Sequence, residues 1–285
     1  EEVAHLQSLG VDVIVIDHHQ SIHSIPDDCI LVNPHIYDAE DSPWRNLCTV
    51  GLVFKLVHGM VKILREQGNE EAHQIQLKDY LDLVALGTVA DLVPLRDENR
   101  ILVCYGLREL RQSNRCGIQA LSQVSGLGIE GRDLRASDIS FKLAPRINAS
   151  GRLADAVLPI EMLLSENYQD SLQFARQLDE MNTERQRIER GIVSEAETQV
   201  EERYKDYHGV VVFSDSWHPG VVGIVASRLT NILKKPAIVL GAEGTVAKGS
   251  GRSIPGLDLV NALTDCGPML TEFGGHPMAV GLSLE

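Results

Sequence analysis

A chain of 285 residues with 44% hydrophobic content is long enough to bury one large core or two modest ones, so we expect a soluble globular protein of about two domains. Its formal net charge of −14 excludes a protein that binds nucleic acid over its whole surface. The net charge does not exclude a groove in which basic residues are concentrated locally. The apolar stretches fall well short of the roughly 18 to 20 residues that cross a bilayer, which excludes membrane insertion.

The five cysteines, Cys29, Cys48, Cys104, Cys116 and Cys266, are odd in number and include no Cys-x-x-Cys pair. This spacing argues against a disulfide framework or a thiolate zinc site and favours a reducing cytoplasm. The first residues lack an initiator Met, a basic segment and an apolar signal core, so we expect no secretory peptide and a chain that begins inside a longer protein.

Residues 11–16 form a β-branched run that is too apolar for a half-exposed strand. The run predicts a central strand of a parallel sheet covered on both faces, followed by a second short strand over 29–32 that ends at Asn33 and Pro34. Helical periodicity follows, and it predicts helices over 49–65, 77–95 and 99–112.

Apolar residues at spacings of three, four and seven in a charged, proline-free background predict one long connecting helix between residues 162 and 207. Beyond it we predict strands over 209–213, 237–240, 246–250 and 279–284, with helices over 221–233 and 257–264. This alternation indicates a second α/β domain.

Three polar residues, Asp17, His18 and His19, follow the first apolar strand, at the edge where open parallel sheets place ligand sites. Two imidazoles and a carboxylate there can bind a metal and a substrate phosphate together. The alternative is a polar loop in which one His caps the strand.

Asp91 shares a face of the predicted 77–95 helix with small and apolar residues, so we expect it to be buried. A buried carboxylate is costly without a cation, which makes Asp91 a candidate metal ligand, although it could merely cap a neighbouring helix. Asp82 points the opposite way and is expected at the surface.

Residues 145–152 place Arg146, Asn148 and Arg152 among small residues, which predicts a loop where guanidinium groups approach phosphate oxygens. Ordinary salt bridging is the alternative.

Three glycine-containing segments in the last third of the chain suggest anion binding. A strand-to-helix loop over 217–228 offers free backbone N–H groups, which His218 can join. Residues 248–253 resemble a flexible anion nest with two hydroxyls and two cations. His276 sits beside two glycines that predict a tight turn. Packing or turn formation alone explains the first and third of these patterns equally well.

Taken in order, these motifs resemble the RecJ family within the DHH superfamily of phosphoesterases, over essentially the whole chain. The resemblance implies an α/β protein of two lobes. These are a DHH domain with a parallel sheet over 1–161, a long helix over 162–207 and a smaller DHH-associated domain over 208–285, with single-stranded DNA held in the cleft between the lobes.

The resemblance also implies a 5′-to-3′ exonuclease that uses two Mn²⁺ or Mg²⁺ ions to release 5′-mononucleotides in recombination and repair. By similarity, His18 and Asp91 ligate one metal, Asp17 supports the site, and His19 contacts the scissile phosphate or assists the leaving group. The implied phosphate and DNA contacts are Arg146, Asn148, Arg152, His218, Ser250, Gly251, Arg252 and His276.

One departure is large. Members of the family carry an Asp-x-Asp motif on an earlier strand and a further bridging Asp, and neither precedes residue 11 here, nor does the oligonucleotide-binding fold follow residue 285. Part of the metal site is therefore expected outside this chain, which can be inactive by itself. Implied partners are single-stranded DNA, a RecQ-type helicase and a single-strand-binding protein. Two alternatives stay open: a phosphodiesterase of short oligonucleotides or cyclic dinucleotides, and a non-catalytic DNA-binding replication scaffold.

Overall fold

The computed structural model describes residues 2–19, 29–128 and 132–285. The chain divides into two compact units. Unit 1 comprises Glu1–Asn148 and Ala156–Asp179, and unit 2 comprises Ala149–Asp155 and Glu180–Glu285.

A short parallel sheet opens unit 1. Strand β1 (Ile14–Ile16) pairs in parallel with β2 (Ile30–Val32), as the sequence predicted, although both strands are shorter than expected. The expectation that the first strand is covered on both faces is wrong for the described residues, because Ile14 and its partner Ile30 are exposed. The packing that does occur is at the carboxyl end, where Ile16 contacts a cluster that includes Leu47. The hydrophobic cluster around Leu47 therefore contacts this sheet at the carboxyl end of β1.

Helices form the rest of unit 1. They are α1 (Glu2–Ser8), α2 (Pro34–Tyr37), α3 (Thr49–Glu66), α4 (Glu70–Gln74), α5 (Leu81–Ala90), α6 (Asp97–Arg111), α7 (Cys116–Val124), α8 (Ala136–Asp138), the first half of α9 (Ala144–Leu153), α10 (Val157–Leu164) and the start of α11 (Tyr168–Arg203). A 3₁₀ turn (Leu77–Tyr80) precedes α5, and a π-helical turn (Ile139–Leu143) leads into α9. Leu110, Ile118, Leu121 and Met162 lie fully buried at the centre of this bundle.

Two sequence expectations for unit 1 need correction. The predicted 77–95 helix is a 3₁₀ turn followed by α5, which ends at Ala90. The predicted loop over 145–152 is wrong, since these residues lie in α9. Pro145 lies just after the π-helical turn in a helical run that begins at Ala136, so the residue without a backbone N–H falls where the regular hydrogen-bond ladder is already altered.

The long helix predicted over 162–207 is α11, which is shorter at both ends. Met162 instead belongs to α10. The apolar stripe of α11 packs where the sequence suggests: Leu178 joins the core of unit 1, while Ile192 and Ala196 join that of unit 2. Helix formation here rests on regular spacing of apolar residues in a charged sequence.

Unit 2 is built on a five-stranded sheet. Its elements are β3 (Val210–Ser214), α12 (Pro219–Leu233), β4 (Ala237–Glu243), β5 (Val246–Arg252), α13 (Leu259–Thr264), a 3₁₀ turn (Gly267–Met269), β6 (Glu272–His276) and β7 (Ala279–Leu284). The strand order is β3-β4-β5-β7-β6, with β3 and β4 parallel and the remaining pairs antiparallel. This mixed α/β architecture agrees with the sequence, except that β6 was not predicted.

Two glycine-rich segments of unit 2 differ from their predicted form. The flexible nest expected over 248–253 is wrong, because residues up to Arg252 lie in β5 and pair with β4 and β7 on either side. The tight turn expected at the two glycines before His276 is displaced: the glycines lie in β6, and the turn follows over residues 277–278, between His276 and its partner Ala279. Neighbouring strands satisfy the backbone of both segments, which offsets the low strand propensity of glycine. None of the helices in the described ranges is long and apolar enough to cross a membrane.

Candidate metal centre and anion site

His18 is the side chain around which the residues after β1 are arranged. Its Nε2 atom lies 2.9 Å from Oδ2 of Asp91, and its Nδ1 atom lies 2.9 Å from Oγ1 of Thr49. The imidazole is 14% exposed, so the protein holds it on both sides. If Nδ1 donates its proton to Thr49, the lone pair of Nε2 faces Asp91, which is the tautomer that a metal requires.

Asp91 lies beside His18, but its environment was predicted incorrectly. Its side chain is 37% exposed, not buried, because α5 ends one residue earlier and Asp91 is its C-cap. Asp82 was expected at the surface and is 3% exposed. It accepts hydrogen bonds from Ser113 Oγ at 2.7 Å and the backbone N–H of Leu83, and it pairs with Arg115.

His19 and Asp17 form a second pair beside His18. Nδ1 of His19 lies 2.7 Å from Oδ1 of Asp17, and the two imidazole centroids are 4.4 Å apart. Partial burial opposes ionisation of Asp17, but hydrogen bonds from His19 and from the backbone of His18 and His19 outweigh it and lower the pKa of this carboxyl. Asp17 is therefore a carboxylate at neutral pH. Asn33 supports the turn by donating to the carbonyl of His19 at 2.9 Å.

These donors fit a divalent cation. Ligand atoms of Asp17, His18 and His19 all lie within 4.8 Å of one another. In an octahedral shell with bonds of about 2.1 Å, adjacent ligand atoms are roughly 3 Å apart, which matches the 2.9 Å between His18 and Asp91. Imidazole nitrogen with carboxylate oxygen is a donor set suited to Mn²⁺ among others. His18 and Asp91 are thus the residues best placed to hold an ion, with Asp17 next to them.

A different cluster in unit 2 has the character of an anion site. Arg252, at the end of β5, donates from Nη1 to Ser250 Oγ at 3.0 Å and to the carbonyl of Gly251 at 2.8 Å. A Cβ atom on Gly223 of α12 would stand 3.2 Å from Ser250 Oγ and 3.6 Å from Nη2 of Arg252. Glycine at this position therefore leaves room beside the hydroxyl and the guanidinium.

Arg152, near the end of α9, adds a second guanidinium. Its Nη1 donates to the carbonyl of Gly220, in the first turn of α12, at 3.3 Å. Desolvation by surrounding protein lowers the pKa of Arg152, and the charge of Arg185 lowers it further. Desolvation likewise lowers the pKa of Arg252, with Arg152 as the next cause. Both groups remain cationic, so this cluster of like charges favours a bound anion.

The other predicted phosphate contacts lie in varied surroundings. Arg146 is engaged within unit 1, where it pairs with Asp179 at 2.7 Å and donates to a backbone carbonyl of the preceding turn. Asn148 is exposed, Gly251 is buried in β5, and His276 is exposed at the end of β6. His218 caps α12, with Nδ1 accepting from the N–H of Gly220 at 3.1 Å.

Sequence reasoning missed two residues that shape the metal centre. Thr49, the first residue of α3, holds the ring of His18, and Asn33 orients the backbone of His19. Asn33 had a visible signal, since it ends the second strand and precedes Pro34. Thr49 had none beyond its place at a helix start. A third missed residue, Glu189 of α11, pairs with two arginines in unit 2.

Two segments of the chain match known protein-family domains. Residues 1–88 match the DHH family N-terminal domain, and residues 206–285 match the DHHA1 domain. The chain therefore carries, in this order, segments that match the DHH and DHHA1 domains.

Over nearly its whole length the chain is similar to RecJ proteins. It is 40% identical to the single-stranded-DNA-specific exonuclease RecJ of Bacillus subtilis over 98% of this chain and 34% of that protein, and 42% identical to that of Escherichia coli over 99% and 51%. The crystal structure of RecJ from Thermus thermophilus in complex with Mn²⁺ superposes with a TM-score of 0.82 at 29% identity, covering 100% of this chain and 40% of that one. The same protein is also solved in complex with Mg²⁺ (TM-score 0.77, 28% identity, 97% and 40% covered). The chain thus spans about a third to a half of the length of these relatives.

Proposed function

We propose that this chain carries part of the catalytic region of a metal-dependent 5′-to-3′ exonuclease that degrades single-stranded DNA to 5′-mononucleotides in recombination and repair. The observation that carries the proposal is the meeting of His18 and Asp91 at 2.9 Å beside a paired Asp17 and His19. The names of the RecJ relatives support the reaction and the substrate. The proposed division is a DHH domain over 1–161, a connecting segment over 162–207 that contains α11, and a DHH-associated domain over 208–285.

His18 and Asp91 hold one Mn²⁺ or Mg²⁺ ion in this proposal. When bound, such ions lower the pKa of a water and stabilise charge on the phosphoryl oxygens. Thr49 fixes the orientation of His18, as second-sphere hydrogen bonds do for metal-binding imidazoles. Asp17 stays ionised and holds the exposed ring of His19, which contacts the scissile phosphate or passes a proton to the leaving oxygen.

The anion cluster of unit 2 grips the 5′-terminal phosphate. Arg252 and Ser250 supply adjacent charged and hydroxyl donors, and Arg152 supplies a second guanidinium. The remaining proposed strand contacts are Arg146, Asn148, His218, Gly251 and His276. Of these, Arg146 is the weakest candidate, since Asp179 already neutralises it.

The partners and the compartment are further proposals. A RecQ-type helicase and a single-strand-binding protein would supply substrate, which suits a chain whose net charge of −14 gives little long-range attraction for DNA. The cytoplasm is the proposed location, and it agrees with five cysteines that are not joined by disulfide bonds among the described residues.

Metal binding is the direct test. We expect His18→Ala to weaken Mn²⁺ binding by at least about tenfold, the loss typical when a metal centre is disturbed. Electron paramagnetic resonance of free Mn²⁺ measures this on the chain itself. His58→Ala removes an exposed imidazole from α3 and is the matched control. Equal affinity of wild type and His18→Ala would overturn the metal assignment.

The substrate is tested with single-stranded DNA of defined length. A 5′-labelled strand of several tens of nucleotides should release mononucleotides from the first turnover, and His18→Ala should reduce turnover by orders of magnitude while DNA stays bound. Release that begins only after the strand has been shortened to a few nucleotides would instead indicate a short-oligonucleotide phosphodiesterase.

A further inference from the structure

Glu189, in the middle of α11, lies between two arginines of unit 2. Its Oε2 pairs with Nη1 of Arg185 at 3.0 Å, and its Oε1 pairs with Nη1 of Arg228 of α12 at 3.2 Å. The side chains of Glu189 and Arg185 are only 12% and 13% exposed. Asn182 holds Arg185 from the other side, through its Oδ1 at 2.9 Å from Nη2. This carboxylate is therefore fixed by two cations in a mostly buried position.

The same carboxylate acts on the anion cluster. Arg152 is influenced by both Arg185 and Glu189: the positive charge of Arg185 lowers the pKa of Arg152, and the negative charge of Glu189 raises it. The pKa of Arg252 in turn is lowered by desolvation and then by the charge of Arg152. Four guanidinium groups are thus linked electrostatically, and Glu189 is a carboxylate that contacts two of them directly.

We propose that Glu189 is a positioning residue that limits how tightly the arginine cluster holds a phosphate, so that a 5′-mononucleotide can leave after each cleavage. The inference deepens the proposed function and rests on it. Without a carboxylate in this place, Arg152 and Arg252 would act together with two uncompensated cations. A dianionic phosphate would then be bound more strongly, and its release would be slower.

A neutral isostere separates charge from packing. Glu189→Gln keeps the shape of the side chain and an oxygen that can accept from Arg185 or Arg228. The only large change is the loss of one negative charge. We expect the Kd for thymidine 5′-monophosphate to fall by at least about fivefold, because a mostly buried charge is poorly screened. A residue that served only to hold α11 against α12 would give unchanged or weaker binding when replaced.

The measurement is isothermal titration calorimetry with the full chain in EDTA, so that no metal takes part. Thymidine, which lacks the phosphate, is the ligand control. Glu184→Gln is the matched variant, since it removes the same charge from the same helix at an exposed pair with Arg187. It should leave the Kd unchanged. Arg228→Gln removes a cation instead, and it should weaken phosphate binding.

Two failures are distinguishable. If wild type does not prefer the nucleotide over thymidine, the anion site of the proposed function is wrong. If wild type shows the preference and Glu189→Gln binds the nucleotide no more tightly than Glu184→Gln does, the role of Glu189 is wrong. Melting temperatures show that each variant is folded, and Arg228→Gln provides a change of opposite sign should Glu189→Gln unfold.

Discussion

At the residue scale, two carboxylates nine positions apart meet opposite environments at the two ends of α5. Asp82 lies in the first turn, buried, where Ser113 and Arg115 supply its hydrogen bonds. Asp91 caps the other end and is partly exposed toward His18. Helical periodicity alone suggested the reverse assignment. The reason is that periodicity describes the middle of a helix, while the environment of its ends depends on which elements pack there.

Asp82 gives a stability prediction. Asp82→Ala should lower the free energy of unfolding by about 2 to 3 kcal/mol, because Ser113 and the partly buried Arg115 lose their acceptor. Urea unfolding followed by circular dichroism measures the change. Asp79→Ala, at an exposed carboxylate nearby, is the control and should change stability by less than about 0.5 kcal/mol. Equal losses in the two variants would contradict the assigned role of Asp82.

At the scale of elements, neighbours override local preference in several places. Residues 248–252 contain two glycines yet form a strand, because β4 and β7 bond to it on both sides. Residues 145–152 begin with a proline yet form a helix, because the proline lies just after a π-helical turn in a continuous helical run. In contrast, α3 was predicted to within one residue, since its start and its apolar periodicity are both local properties.

The end of α5 stores strain. Leu92 has a φ of 62°, in the left-handed region, and its side chain is 80% exposed. A leucine there gains little from burial and bears a steric cost of about 1 to 2 kcal/mol that glycine avoids. Leu92→Gly should therefore leave stability unchanged or raise it by up to about 1 kcal/mol, after allowing for the greater freedom of glycine in the unfolded chain.

The matched control for that prediction is Leu164→Gly. Leu164 is 75% exposed at the end of α10, and its backbone is not in the left-handed region. Glycine there should cost about 0.5 to 1 kcal/mol. Thermal melting of the two variants decides, and a loss at residue 92 equal to that at residue 164 would show that the left-handed backbone carries no strain.

At the scale of the whole molecule, charge is unevenly used. The net charge is −14, yet unit 2 contains an electrostatically linked group of arginines, Arg152, Arg185, Arg228 and Arg252. In unit 1, a carboxylate and two imidazoles lie together after β1. A protein that binds single-stranded DNA through a small arginine cluster contacts fewer phosphates than a protein with a broad basic surface. The number of phosphates neutralised should be small.

Salt dependence measures that number. Binding of a 5′-phosphorylated oligonucleotide to this chain should weaken with salt at a slope of log K against log salt concentration no steeper than about −2, since each phosphate contact on a single strand contributes about −0.7. Fluorescence anisotropy between about 50 and 300 mM salt gives the slope, because the Debye length shortens over this range. A slope near −5 would indicate a much longer basic path.

The sequence by itself determined the local features: an apolar strand ending in Asp17, His18 and His19, the helical stripe of α11, and the α/β alternation of unit 2. Each depends on a pattern within a few turns or one strand, where spacing of apolar and polar residues is sufficient. The motifs also pointed to His18 and Asp91 as partners.

Only the tertiary structure decided which residues complete each site. Thr49 beside His18, Asp82 beside Ser113, and Glu189 beside Arg228 all depend on contacts between residues 31 to 39 positions apart in the chain. Such contacts arise from how elements pack, and burial, hydrogen bonding and charge pairing are set there and not by the identity of the residue or its immediate neighbours.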